Sequence, residues 1–154
     1  MINRLRRLLG GGTAAEEPAA SDRMHLAIGV LLVEIARADH DHTAEEDAEI
    51  LRLLEGNLHL APTAALDLLA AAKHTVEHSV SLHEFTRTVH EQMTYDEKQE
   101  VIEMLWRIAL TDRSLDKYED YLIGKIAELL YVSRGDVIRL KHRVTDIAAP
   151  PPDS

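Results

Sequence analysis

The sequence predicts an all-α protein: a compact bundle of about seven helices built from two pseudo-symmetric three-helix repeats. Three observations carry this expectation. First, five helix starts have the capping-box pattern: Thr43-x-x-Glu46, Ser81-x-x-Glu84, Thr94-x-x-Glu97, Asp116-x-x-Glu119, and Ser133 with Asp136 in the box position. In such a box each side chain satisfies a backbone N–H that the first turn would otherwise leave unpaired. Second, 45% of the residues are hydrophobic but only 4% are aromatic. Leu, Ile, Val and Ala must therefore fill the core, and no strand-like alternation competes with the helical pattern. Third, the stretch IARADHDHTAEE, residues 35–46, recurs as IALTDRSLDKYE, residues 108–119.

The elements follow in order. Residues 1–20 are expected to be a basic N-terminal segment and a Gly/Ala linker outside the folded domain. Ile2, Leu5, Leu8 and Leu9 beside Arg4, Arg6 and Arg7 make a short amphipathic stretch. Residues 2–9 thus offer weak peripheral contact with an anionic membrane, although so short a segment barely nucleates a helix. The helical domain is expected over residues 21–147. Ser21 or Asp22 can cap its first helix, which is apolar on more than one face through Leu26, Val30, Leu31, Val33 and Ile35 and so reads as buried. The second helix follows Thr43 and stops near Gly56. Pro62 opens a third through Leu66, Leu68 and Leu69. The fourth turns Phe85 and Val89 inward. The fifth carries Val101, Ile102, Leu105, Trp106 and Ile108, where Trp106 reads as core rather than as an interface anchor. The sixth follows Asp116, and the seventh runs through Val137, Ile138, Leu140 and Val144. Residues 148–154 are a Pro-rich tail that cannot continue a helix.

The repeat extends beyond the two quoted stretches. Ile50 and Leu53 answer to Ile123 and Ile126, and residues 58–66, LHLAPTAAL, answer to residues 130–138, LYVSRGDVI. Two copies are too few for a solenoid, which needs about three, so a closed bundle is expected.

Each copy places acids at a helix-loop-helix corner. Asp39, Asp41 and Glu46 form the first set, echoed by Asp112, Asp116 and Glu119. Hard divalent cations want several converging carboxylate and carbonyl oxygens, and two facing corners could supply them. The loops are not EF-hands: the sixth position from Asp112 is Lys117 rather than Gly, and the twelfth is Ile123 rather than Glu. The same Glu and Asp residues also have a bland explanation as helix caps. His40 and His42 flank Asp41 and would favour a softer metal, but the second copy has Arg113 and Leu115 there.

The arrangement IA-x-x-D-x-x-x-x-x-x-E, present twice, with Glu103, Leu105 and Trp106 before the second copy, resembles the TerB-like family of bacterial tellurite-resistance proteins. The resemblance runs from about Met24 to Val144. The family tends to have Gly after the Asp, where this chain has His40 and Arg113. What the resemblance implies is an all-helical, cytoplasmic, stress-linked protein with metal binding at the acidic positions. The expected ligands are Asp39, Asp41, Glu46, Asp112 and Glu119, and the expected cofactor is a divalent cation.

Other chemistries have less support. His74, Glu77 and His78 spell the zinc pattern H-x-x-E-H, which would make the chain a zinc-dependent hydrolase, but no motif nominates a third ligand. There is no Glu-x-x-His for a di-metal bundle, no nucleophile elbow, no phosphate loop and no cysteine. Net charge is -10, and the three arginines of the first nine residues leave -13 on the rest. That surface repels nucleic acid and favours a metal ion or a basic protein partner. No apolar run of about 18 residues is present to span a membrane. The reading is a non-enzymatic cytoplasmic module, with a metal-free acidic interaction scaffold as the alternative.

Overall fold

The computed structural model describes residues 20–38, 44–78, 81–111 and 117–148. Among them are seven helices and no strand: α1 Ala20–Ala38, α2 Ala44–Asn57, α3 Pro62–His78, α4 Leu82–Gln92, α5 Tyr95–Ala109, α6 Lys117–Leu129 and α7 Arg134–Ala148. The expected all-α class holds. Pro62 stands at the first position of α3, where its missing N–H costs nothing. Ser81 accepts from the Glu84 amide to start α4. At α5 the capping box is complete: the Thr94 hydroxyl accepts from the Glu97 amide, and the Glu97 carboxylate accepts from the Thr94 amide at 2.8 Å.

Helix α1 is the axis of the molecule. Residues 27–33, Ile35 and Ala36 are buried, and α2, α3, α4, α5 and α6 all pack on it. A helix enclosed over most of its length is one whose apolar residues are not confined to a stripe, which is the pattern read in its sequence. It crosses α3 closely at Gly29, where an added Cβ would lie 3.3 Å from the Ala72 Cβ. Helix α5 is the second axis, packed on α1, α2, α6 and α7. Its Ile102, Leu105 and Ile108 join Ile28, Leu31, Ile35, Ile50, Leu54, Ile123 and Ile126 in one continuous core. Trp106 belongs to that core, and its indole N–H donates to the Val137 carbonyl of α7 at 3.1 Å.

The start of α7 is capped partly from outside. Ser133 accepts from the Asp136 amide, and the Asp136 carboxylate accepts from the Ser133 hydroxyl. The Ser133 amide, which the box would leave to the carboxylate, donates instead to the Tyr95 hydroxyl at 3.1 Å. That hydroxyl in turn donates to Asp136 at 2.6 Å. One tyrosine at the first position of α5 thus completes the cap of α7.

Two turns carry left-handed backbone at a residue other than glycine: His59 after α2, with φ 55°, and Tyr131 after α6, with φ 60°. They occupy matching places in LHLAP and LYVSR. At Tyr131 the bonds are those of a Schellman ending, Tyr131 N–H to the Glu128 carbonyl and Val132 N–H to the Ala127 carbonyl. A bulky residue there stores roughly 1 kcal/mol or more of strain.

Two outcomes follow from this packing. Gly29→Leu is expected to cost about 1–3 kcal/mol in urea denaturation, since even the added Cβ would press on Ala72 of α3. Asp136 has its pKa held below the usual value, first by the Tyr95 hydroxyl, then by Ser133 and Arg139. A depressed carboxylate stabilises the fold above its unfolded-state pKa, about 3.9, and that contribution is lost as pH falls through the lower folded-state value. Tyr95→Phe is therefore expected to lower the melting temperature at pH 7 more than at pH 2, as read by circular dichroism.

Candidate functional site

The acidic corners lie where α1 hands over to α2 and where α5 hands over to α6. In each, an apolar helix end is followed by a polar connection and an acidic first turn: Glu45, Glu46 and Asp47 in α2, and Glu119 and Asp120 in α6. Asp39, Asp41 and Asp112 lie outside the described residues, as does the Asp116 cap. Glu46 and Glu119 are described, and they behave alike. Glu46 is 3% exposed and Glu119 is 1% exposed, and they are the two buried acidic residues among those described. Their acidic neighbours face outward and pair with lysines: Asp47 accepts from Lys73 of α3 at 2.7 Å, and Asp120 from Lys141 of α7 at 3.2 Å.

Burial is not what a helix cap requires. A box glutamate normally lies at the surface, as Glu97 does. A buried carboxylate must be paired, hydrogen-bonded or bound to a metal to offset the loss of water. Both glutamates are engaged by other groups of the chain. Among the described residues no group of three or more His, Asp or Glu side chains gathers as a metal shell. The described part of each corner thus contributes one carboxylate. Near the first corner, Glu34 of α1 has its pKa raised by burial, with Arg37 pulling it back.

The H-x-x-E-H pattern sits at the exposed end of α3. The His74 and His78 rings stack with centroids 4.2 Å apart, and the His78 Nδ1 meets the His74 carbonyl oxygen at 2.8 Å. Glu77 turns to Arg37 of α1, at 3.5 Å. No third ligand stands near the pair among the described residues.

One buried cation escaped the reading of the sequence. Lys98 of α5 is 7% exposed, and its ammonium bonds the Nδ1 of His90 on α4. The signal was present. Lys98 falls on the stripe that continues as Val101, Ile102 and Leu105, so a core-facing lysine was readable from spacing alone.

Comparison with known families decides what these corners belong to. The family model described as "Tellurite resistance protein TerB" matches residues 25–142, more than three-quarters of the chain. The chain belongs to the TerB family. The all-helical architecture agrees with this TerB assignment, and both acidic corners fall within the matched span. No curated protein and no solved structure matches. No helix among the described residues is long and apolar enough to cross a membrane.

The exposed Arg37–Glu77 pair sets a direct expectation for the H-x-x-E-H segment. Glu77→Ala should cost only about 0.2–1 kcal/mol in denaturant unfolding, the ordinary weight of a surface ion pair.

Proposed function

We propose that this TerB-family chain is a non-catalytic module that takes a divalent cation at its acidic corners, in a tellurite-resistance or stress-response setting. The observation that carries the proposal is the matched burial of Glu46 and Glu119. Each stands three residues after the cap position of a duplicated corner, and each is drawn inward although an exposed glutamate would cap as well. The donor set fits a hard cation: every proposed ligand is a carboxylate, and the chain has no thiolate to offer. Glu46 and Glu119 would hold the ion, joined by Asp39, Asp41 and Asp112. The ion's contribution would be structural, joining the end of one helix to the start of the next.

The packing supports a shared design for the two corners. Helix α1 packs with α2 and α3 as α5 packs with α6 and α7. Across the molecule, α2 packs on α5 and α6 on α1. These are the contacts that two halves related by a two-fold axis would make.

A second reading keeps the module and drops the ion. The charge of -10, with Tyr118 and Tyr121 exposed side by side on α6, suits a protein partner with a basic face. Thermal unfolding with and without chelator separates the two. Bound metal in the purified protein, a melting temperature lowered by chelator, and affinity reduced about tenfold or more in Glu46→Gln and in Glu119→Gln are the expected results. A melting temperature indifferent to every divalent cation, in the native chain and in both variants, would sink the cation reading.

A further inference from the structure

Helix α4 is the one that has no counterpart in the packing of the two halves, and it carries a different kind of site. Between α4 and the turn after α6 lies a cleft of about 740 Å3. Ser81, His83, Glu84, Arg87, His90 and Tyr131 line it. Behind His90 sits the buried Lys98.

Three features of this place are unusual together. Lys98 is buried, yet among the described residues no carboxylate pairs with it; its one side-chain partner is the neutral nitrogen of an imidazole. By contrast Lys73 and Lys141 each meet an aspartate. A buried ammonium without a counter-charge is costly, and it favours an anion nearby. Second, the Lys98 bond decides the state of His90. An ammonium can only donate, so Nδ1 must accept and the ring proton must sit on Nε2. That Nε2–H has no acceptor among the described residues. Third, Tyr131 packs its ring on His90, centroids 4.6 Å apart, while 72% exposed and held in left-handed backbone that glycine would adopt without strain. Strain at an exposed aromatic whose hydroxyl has no hydrogen bond among the described residues points to a role outside folding.

We propose that this cleft binds an anionic oxygen group, that of a small carboxylate, with His90 Nε2–H backed by Lys98 as the donor and Tyr131 as the wall. A carboxylate is favoured over a phosphate dianion by charge. Glu84 and Glu91 line the same cleft, Arg87 is already shared with Glu91 at 3.6 Å, and one ammonium balances one negative charge. The site is separate from the acidic corners, and it stands or falls independently of the cation reading.

The test is a titration of the full chain with acetate and with inorganic phosphate at pH 7.5 and fixed ionic strength, with chloride as the control. Imidazole nitrogen and tyrosine ring resonances are the readout. Acetate is expected to shift His90 and Tyr131 saturably, more tightly than phosphate. Lys98→Met should weaken acetate about tenfold, the weight of one charge-assisted hydrogen bond. It should also release the His90 proton to both nitrogens. Tyr131→Gly should raise the melting temperature by removing the strain and still weaken acetate severalfold, a pairing that a purely structural tyrosine would not give. A His90 that carries its proton on Nδ1 in the native chain, or acetate shifts no larger than those of chloride, would overturn the site. Phosphate binding as tight as acetate would overturn its carboxylate assignment. Equal acetate affinity in Lys98→Met would remove Lys98 from it.

Discussion

Enclosure of α1 is the constraint on which everything else rests. A helix wrapped by five others has little surface to leave polar, and its contact with α3 is close enough that a Cβ added at Gly29 would sit 3.3 Å from the Ala72 Cβ. This burial determines where the chain can carry charge. Acids are excluded along most of α1 and return at its end, in the handover to α2. The same holds for α5, whose apolar stripe ends at Ala109 before the second acidic connection. Both acidic corners are therefore consequences of how two central helices leave the core.

Membership in the TerB family and the matched burial of Glu46 and Glu119 point in one direction. Each glutamate stands in the first turn of its helix, at the position its spacing announces, yet each is also placed where a carboxylate is expensive. A residue that fits the local pattern and violates the preference for solvation is where a functional demand is expected to show. The cleft beside α4 follows the same logic with opposite charge. There a lysine occupies a core-facing register, and its side-chain partner among the described residues is a histidine of α4.

Much of the architecture was legible because its signals are local. Thr94 and Glu97 announce a helix start four residues long, and the structure forms both bonds of that box. Pro62 and the enclosed pattern of α1 were equally readable, as was the core role of Trp106. What was not legible depends on contacts distant in sequence. Nothing in Ser133-x-x-Asp136 reveals that Tyr95, 38 residues earlier, takes the amide the box would use. Nor do His59 and Tyr131 look like left-handed positions, because the usual marker there is glycine or asparagine. Lys98 was readable from its register, but only when the apolar stripe is followed back to the first turn of α5. Of the five proposed metal ligands, the structure describes two, and their burial is a property that capping-box spacing alone does not convey.

The borrowed cap on α7 has a further bearing on how the domain opens and closes. Its first turn leans on a hydroxyl from α5 and also holds the indole of Trp106 through the Val137 carbonyl. Neither support exists in an isolated C-terminal helix. Fraying of α7 from its N-terminal end would thus have to disengage two aromatic side chains of α5 at once, so the last helix is wired into the interior and not left as a removable strap. In native-state amide exchange α5 and the start of α7 would then open as a single cooperative unit.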